Sequence, residues 1–394
     1  MARSVALYSA EDTAMKILEA MLAGPLWALS EEGRWEDGDG GEIHPSGQDR
    51  PPGEPRLATQ LCPKLQEENT PSDYNEYLNL DSILDDDDSF PVHDERLFRT
   101  THQTFELWFS QILAEIDSVI PLLMATTSTE QTQACLRSLG VVDRRLGRIS
   151  TIMRLCCSQF EVLRTMTALD FAEFRAGLGT ASGFQSWQFR LVENKLGLEN
   201  TARMGMGSEY KDAIICPHLK QKVSDSEIGV TLRSAVQHWL QVFRPALGIV
   251  SSREWSDVLS NIHNEFGADS HFFSLVAPPN KRKGVAYNAF SPAALQSALA
   301  KIMFRDVPQL QVAHSILSHL GDIDALVQSW RFQHLQLVNK QMGAKRGTFG
   351  TSGYHYLHAT CSKRMMVFQD ITDLSSLLLP TSKLPTSLKN RNAF

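Results

Sequence analysis

The stretch "HDERLFRTTHQTFELWFSQIL", residues 93–113, decides the fold. Phe98, His102, Phe105, Phe109, Ile112, Ile116 and Val119 recur at steps of three or four residues, so all lie on one face of a helix. His102 stands inside that apolar stripe, with Phe98 one turn before it and Phe105 one turn after. His93 precedes the stripe, near the helix start. An imidazole among buried phenylalanines either hydrogen-bonds within the core or serves a ligand, and spacing alone favours the first.

The same periodicity extends outward. It predicts a long helix over 94–125, then one or two helices over 129–168, with Leu136, Leu139, Val142, Leu146, Ile149, Ile152 and Met153 in phase. "MTALDFAEFRAGL" continues helically to the small-residue loop "GTASGFQS", and "WQFRLVENKLGL" restarts a helix. "SEIGVTLRSAVQHWLQVFRP" is another, ended by Pro245. "SPAALQSALAKIMF" opens with Ser291 as N-cap and Pro292 in the first turn. "QLQVAHSILSHLGDIDALVQSWRFQHLQLVNKQMG" reads as two helices joined near Gly321–Asp322. No stretch alternates with period two and no repeat is present, so the fold class is all-α, a helical bundle.

Toward the N-terminus the pattern fades. Residues 14–29 are apolar but flanked or interrupted by Glu11, Asp12 and Glu19, which fits neither a secretory signal nor a transit peptide. Residues 30–72 are rich in Gly, Pro, Glu and Asp and offer little to bury. We therefore expect a mostly disordered extension over 1–72, an all-helical domain over 73–380 and a tail over 381–394. Ser72 or Asp73 caps a short helix carrying Tyr74, Tyr77 and Leu78, and Asp85–Asp88 form a solvated loop.

Bulk properties exclude several classes. The 394-residue chain carries a net charge of −7, which gives nucleic-acid binding no support. No apolar run reaches the roughly 20 residues that a membrane helix needs. The six cysteines show no CxxC pairing, which points away from a disulfide framework or a zinc site and toward a reducing, cytoplasmic setting. The absence of CxxCH removes covalent c-type haem attachment.

A second histidine mirrors the first. Ile323, Val327, Trp330, His334 and Leu337 share a face, with His334 one turn beyond Trp330. Two such histidines on separate helices are compatible with a haem slot, although a hydrogen-bonded core role is the commoner reading for each. In "LDFAEFRAGLGTASGFQSWQFRL" (169–191), Arg175 and Arg190 flank a loop of small residues. They suit either a forked grip on carboxylates or ordinary surface ion pairing. "GAKRGTFGTSGYHYL" (343–357) carries four glycines without a nucleotide-loop spacing, and reads equally as a lid or as a connecting loop.

Taken together, "HDERLFRTTHQTFELWFSQIL", "MTALDFAEFR", "ASGFQSWQFRLVENKLG", "WRFQH" and "GTSGYHYL" resemble the tryptophan 2,3-dioxygenase family, in the family's order, from Tyr74 to Leu379. They do not resemble the indoleamine dioxygenases. The resemblance implies a b-type haem, ferrous in the active state, L-tryptophan and O2 as substrates, N-formylkynurenine as product, and a homotetramer. Residue by residue it implies His334 as the haem iron ligand and Arg190 at a haem propionate. It implies His102 at the indole N–H, Phe98 against the indole ring, Arg175 on the substrate carboxylate, and Thr348 on its ammonium and carboxylate. Tyr74, Tyr77 and Leu78 match residues that reach a neighbouring subunit's site.

The chain also departs from the family pattern. Phe349 replaces a usual glycine in the loop, and Phe105 and Phe332 replace frequent tyrosines. Residues 222–290 match poorly, and the long N-terminal extension is not general in the family. Two other readings remain at this point: a bis-histidine haem protein for electron transfer or gas sensing, which would not need Arg175 or Thr348, and a helical homologue without catalysis.

Overall fold

The computed structural model describes residues 73–84, 90–126, 133–203, 210–242, 251–267, 289–343, 345 and 353–384. Every regular element among them is a helix. The expected disordered extension over 1–72, the Asp85–Asp88 loop, Pro245 and the tail beyond 384 lie outside the described residues.

The described residues fall into two units, 73–84 and 90–384. The first holds two short helices, α1 (Tyr74–Leu78) and α2 (Leu80–Ile83). Asp73 caps α1 by accepting from the Glu76 backbone N–H at 2.8 Å. Asn79, with φ 52°, takes the left-handed turn between them. Tyr74 and Tyr77 are 64% and 72% exposed.

The second unit is built on three long helices. α3 (His93–Met124) carries the opening stripe, and Phe105, Phe109, Ile112, Ile116, Val119 and Leu123 are buried along it. Asp94 and Glu95 in its first turn suit the positive end of the helix dipole. α4 (Gln133–Leu163) is one continuous helix whose Leu139, Val142, Leu146, Ile149 and Phe160 are buried. Helicity then breaks, and a Thr167–Asp170 capping box starts α5 (Ala168–Arg175) afresh. α6 (Trp187–Leu196) ends at Gly197, whose φ of 112° and 2.6 Å approach to Arg233 from an ideal Cβ position leave room for glycine alone. Arg203 ends the one-turn helix α7 (Asn200–Arg203).

α8 (Pro217–Asp225) and α10 (Ser252–Phe266) were not predicted, whereas α9 (Leu232–Val242) was. α10 does carry a signal: Ser251 and Glu254 form a capping box ahead of buried Trp255, Val258 and Ile262. α11 (Pro292–Met303) starts as read, with the Ser291 side chain capping the Ala294 N–H.

α12 (Pro308–Met342) corrects the sequence reading. It is a single 35-residue helix with no joint at Gly321–Asp322. The buried series Leu317, Leu320, Ile323, Asp324 and Val327 keeps its phase through Gly321, so packing outweighs the small cost of one glycine. α13 (Gly353–Thr360) and α14 (Gln369–Asp373) complete the order.

α12 packs along α4, and α4 along α3. α3 also meets α6 and α9, while α5 bridges α3 and α12. α3 is long and apolar enough to cross a membrane. It is nonetheless a core helix here, since its stripe faces other helices and its buried Glu115 binds Arg148 at 2.5 Å.

Candidate functional site

The two stripe histidines face each other across an aromatic cluster. On α3, the His102 ring lies 4.1 Å from Phe98 and 6.4 Å from Phe105, centroid to centroid. Phe105 reaches Phe160 of α4 at 5.4 Å and Trp330 of α12 at 5.8 Å. His334, one turn past Trp330, stacks on Phe160 at 6.1 Å and meets Trp330 at 5.5 Å. Phe189 of α6 closes the far side against Trp330 at 4.7 Å. Three facing helices thus place two imidazoles in one apolar region.

Both rings are neutral at pH 7. Burial pulls His334 down to about 4, and the nearby His102 adds to that effect. Burial also lowers His102, against the opposing pull of the Phe98 carbonyl and Glu106. His102 Nδ1 is 2.7 Å from the Phe98 carbonyl oxygen, which can only accept. Nδ1 therefore carries the proton and Nε2 offers a lone pair. Among the described residues, neither nitrogen of His334 has a hydrogen-bond partner. His334 is half-buried.

These features fit a haem. Among the described residues no cluster of three or more His, Cys, Asp or Glu can hold a bare metal ion. A haem brings four ring nitrogens and asks the protein for a single imidazole in apolar surroundings. His334 meets that requirement: neutral, unclaimed and walled by aromatic rings.

The remaining candidates divide. Phe98 packs on Phe171 and Phe174 of α5 at 5.7 and 5.5 Å, so Arg175, the last residue of α5, adjoins the His102 side of the cluster. Arg190 lies at the edge of the cluster, its guanidinium 6.0 Å from the Phe189 ring. It is buried on α6, donating from Nη1 to Glu193 at 3.1 Å, and its Nε has no partner. Phe105 is buried within the cluster, whereas Phe332 is half exposed. Thr348 and Phe349 lie outside the described residues, and Tyr74, Tyr77 and Leu78 belong to the first unit.

Periodicity missed the charged centre behind the cluster. Glu193 binds Arg190, Arg203 of α7 at 3.0 Å and Arg331 of α12 at 2.5 Å. Burial opposes its ionisation, but Arg203, Arg190 and Arg331 outweigh that and hold its carboxyl far below the usual glutamate range. Burial lowers the basicity of Arg190, yet the neighbouring Tyr356 and Glu193 reverse this, so it stays charged. The only trace in the sequence is the i, i+3 pair Arg190–Glu193 inside "WQFRLVENKLG".

A family profile described as Tryptophan 2,3-dioxygenase matches residues 60–271 and 272–378, well over half of the chain. The match runs through 222–290, where the family motifs are faintest, with a break only between 271 and 272. The first segment carries His102 and its aromatic wall, and the second carries His334. Fold, paired imidazoles and profile agree: the chain belongs to the tryptophan 2,3-dioxygenase family, whose members are haem-dependent dioxygenases.

Proposed function

We propose that the protein opens the indole C2–C3 bond of L-tryptophan with O2, giving N-formylkynurenine, the first step of the kynurenine pathway. The observation that carries this reading is the facing pair of neutral imidazoles in one aromatic cluster, His334 with both nitrogens unclaimed and His102 presenting a free Nε2. A ferrous b-type haem held by His334, when bound, supplies the dioxygen chemistry. The Arg190 guanidinium, with a donor left over at Nε, suits a haem propionate.

The chain's residues bind and orient. Phe98 walls the indole, and His102 Nε2 accepts a hydrogen bond from the indole N–H, fixing which ring edge is presented. An indole N–H is too weak an acid for His102 to serve as an obligatory base. Arg175 pairs with the carboxylate and Thr348 holds the ammonium and carboxylate. The aromatic walls exclude water. Tyr74, Tyr77 and Leu78 serve a neighbouring subunit's site in a homotetramer, a role that the exposure of both tyrosine rings favours. The enzyme works in the cytoplasm, without nucleic acid or membrane.

Arg175→Ala should chiefly weaken substrate binding. A charge-assisted hydrogen bond is worth about 1.5–3 kcal/mol, roughly ten- to more than a hundredfold in affinity. Steady-state kinetics should show a raised KM, and tryptamine, which lacks the carboxylate, should be a poor substrate of the wild type. Equal turnover of tryptamine and L-tryptophan would sink the clamp.

His102→Ala should retain haem and keep reduced activity, because one orienting hydrogen bond is lost and no bond to iron. A second reading has its own support: an imidazole that donates Nδ1–H to a backbone carbonyl is also dressed as a metal ligand, so His102 suits a bis-histidine haem. Loss of haem from His102→Ala, with a low-spin spectrum in the wild type, would favour that reading.

A further inference from the structure

We infer that Arg331, held by Glu193, is a positioning residue for the haem ligand: it fixes the rotation and depth of α12 one turn before His334. The inference rests on the assignment of His334 to iron.

The geometry starts from both ends of the Arg331 guanidinium. Nη2 donates to Glu193 Oε1 of α6 at 2.5 Å, and Nη1 donates to the Met365 carbonyl oxygen at 3.1 Å. Two nitrogens of one planar group are therefore fixed to two different elements, which a single contact cannot do. Glu193 is itself immobilised, because its other oxygen takes Arg190 Nη1 at 3.1 Å and Arg203 Nη2 at 3.0 Å. Two turns earlier on α12, buried Asp324 accepts from the backbone N–H groups of Val367 and Phe368 at 2.9 and 2.5 Å. The segment 365–368 thus grips α12 at two points seven residues apart. On the α6 side, Phe189 packs on Trp330 beside the Glu193–Arg331 pair.

Apolar packing alone does not determine the rotation of a helix this well. The rings around His334 are broad, smooth surfaces, and cores of adequate volume tolerate rearrangement. A side-chain tip lies about 5–6 Å from a helix axis, so a 10° rotation moves it by about 1 Å. A ligand site needs its groups held within about 0.5 Å. Directional, charge-assisted bonds one turn from the ligand supply that restraint. Buried ion pairs are weak evidence for stability, and specifying one arrangement is a role they can fill.

The test compares two arginines on the same carboxylate. Arg331→Met and Arg203→Met each remove one guanidinium from Glu193, but only Arg331 belongs to the helix that carries His334. Haem-loaded proteins are compared by the rate of haem transfer to an excess apoprotein scavenger, by the ferric electron paramagnetic resonance spectrum, and by urea unfolding. Arg331→Met should speed haem loss by about 10- to 100-fold, the range for a residue that orients a metal ligand, and should broaden or shift the ferric signal. Arg203→Met should change both far less, because Arg190 still holds the same Glu193 oxygen, whatever the substitution does to unfolding. Arg331→Lys keeps the charge but not the two-ended grip, so it should fall on the Arg331→Met side; it serves if the methionine variant does not fold. Equal haem behaviour in the Arg331 and Arg203 variants overturns the inference. His334→Ala is run beside them: if it keeps haem with an unaltered spectrum, the ligand assignment fails instead.

Discussion

His334→Ala should purify with most of its haem missing and with activity reduced to background. In the proposed reading His334 is the iron ligand: burial keeps it neutral, no described residue claims either nitrogen, and Phe160 and Trp330 restrict the ring. Alanine would remove the protein's bond to the metal and leave the apolar contacts with the porphyrin and the proposed Arg190 contact with a propionate. Those contacts give weak, poorly oriented retention, so a small haem fraction with a shifted Soret band is the expected remainder. Haem content per chain by the pyridine haemochrome method reads this directly. Full occupancy with an unchanged spectrum would assign the ligand elsewhere.

Glu193→Ala should produce the largest loss of stability in the chain outside its apolar core. The substitution leaves Arg190, Arg203 and Arg331 buried around a void with their charges uncompensated by this carboxylate. Breaking a buried ion pair by removing one partner costs roughly 3–5 kcal/mol. Glu193→Gln preserves the shape and one acceptor oxygen and should cost less. The linkage has a definite sign. The folded-state pKa of Glu193 lies below its unfolded value, so its stabilisation is fully present above the ordinary glutamate range. It is lost only as the pH falls on through the folded-state value, in strong acid. Urea unfolding at neutral pH should therefore show the whole effect. A change below about 1 kcal/mol, the worth of a surface pair, would mean that the cluster relaxes into solvent.

These two residues also mark the limits of what was readable in advance. His334 was legible because a histidine interrupting an apolar stripe breaks the pattern that a helix needs for its core. Its pairing with His102 was suggested by the two stripes, but Phe160, which lies between Phe105 and His334, comes from a third helix and was not foreseen. Glu193 was visible only as the neighbour of Arg190; its strongest partner, Arg331, is 138 residues away. Arg190 and Arg175 looked alike as arginines flanking a loop, yet one is buried on a carboxylate and the other ends α5. Gly321 suggested a joint because local propensity was weighed over phase, and the unbroken buried series decides otherwise. α8 escaped because few of its positions are apolar, whereas α10 was overlooked although Trp255, Val258, Leu259 and Ile262 recur at helical steps behind the Ser251–Glu254 capping box. α3 and α11 were plain, each marked by a stripe or by a serine cap followed by proline.

The central claim is that the paired imidazoles serve a dioxygenase of L-tryptophan. One measurement tests it most directly: the reduced, haem-loaded protein is titrated with L-tryptophan without oxygen, isotopically labelled O2 is then admitted, and the product is analysed by mass. The account predicts a saturable change in the haem spectrum on adding tryptophan, followed by N-formylkynurenine carrying two labelled oxygen atoms. A low-spin haem spectrum indifferent to tryptophan, with no labelled product after oxygen, would contradict it.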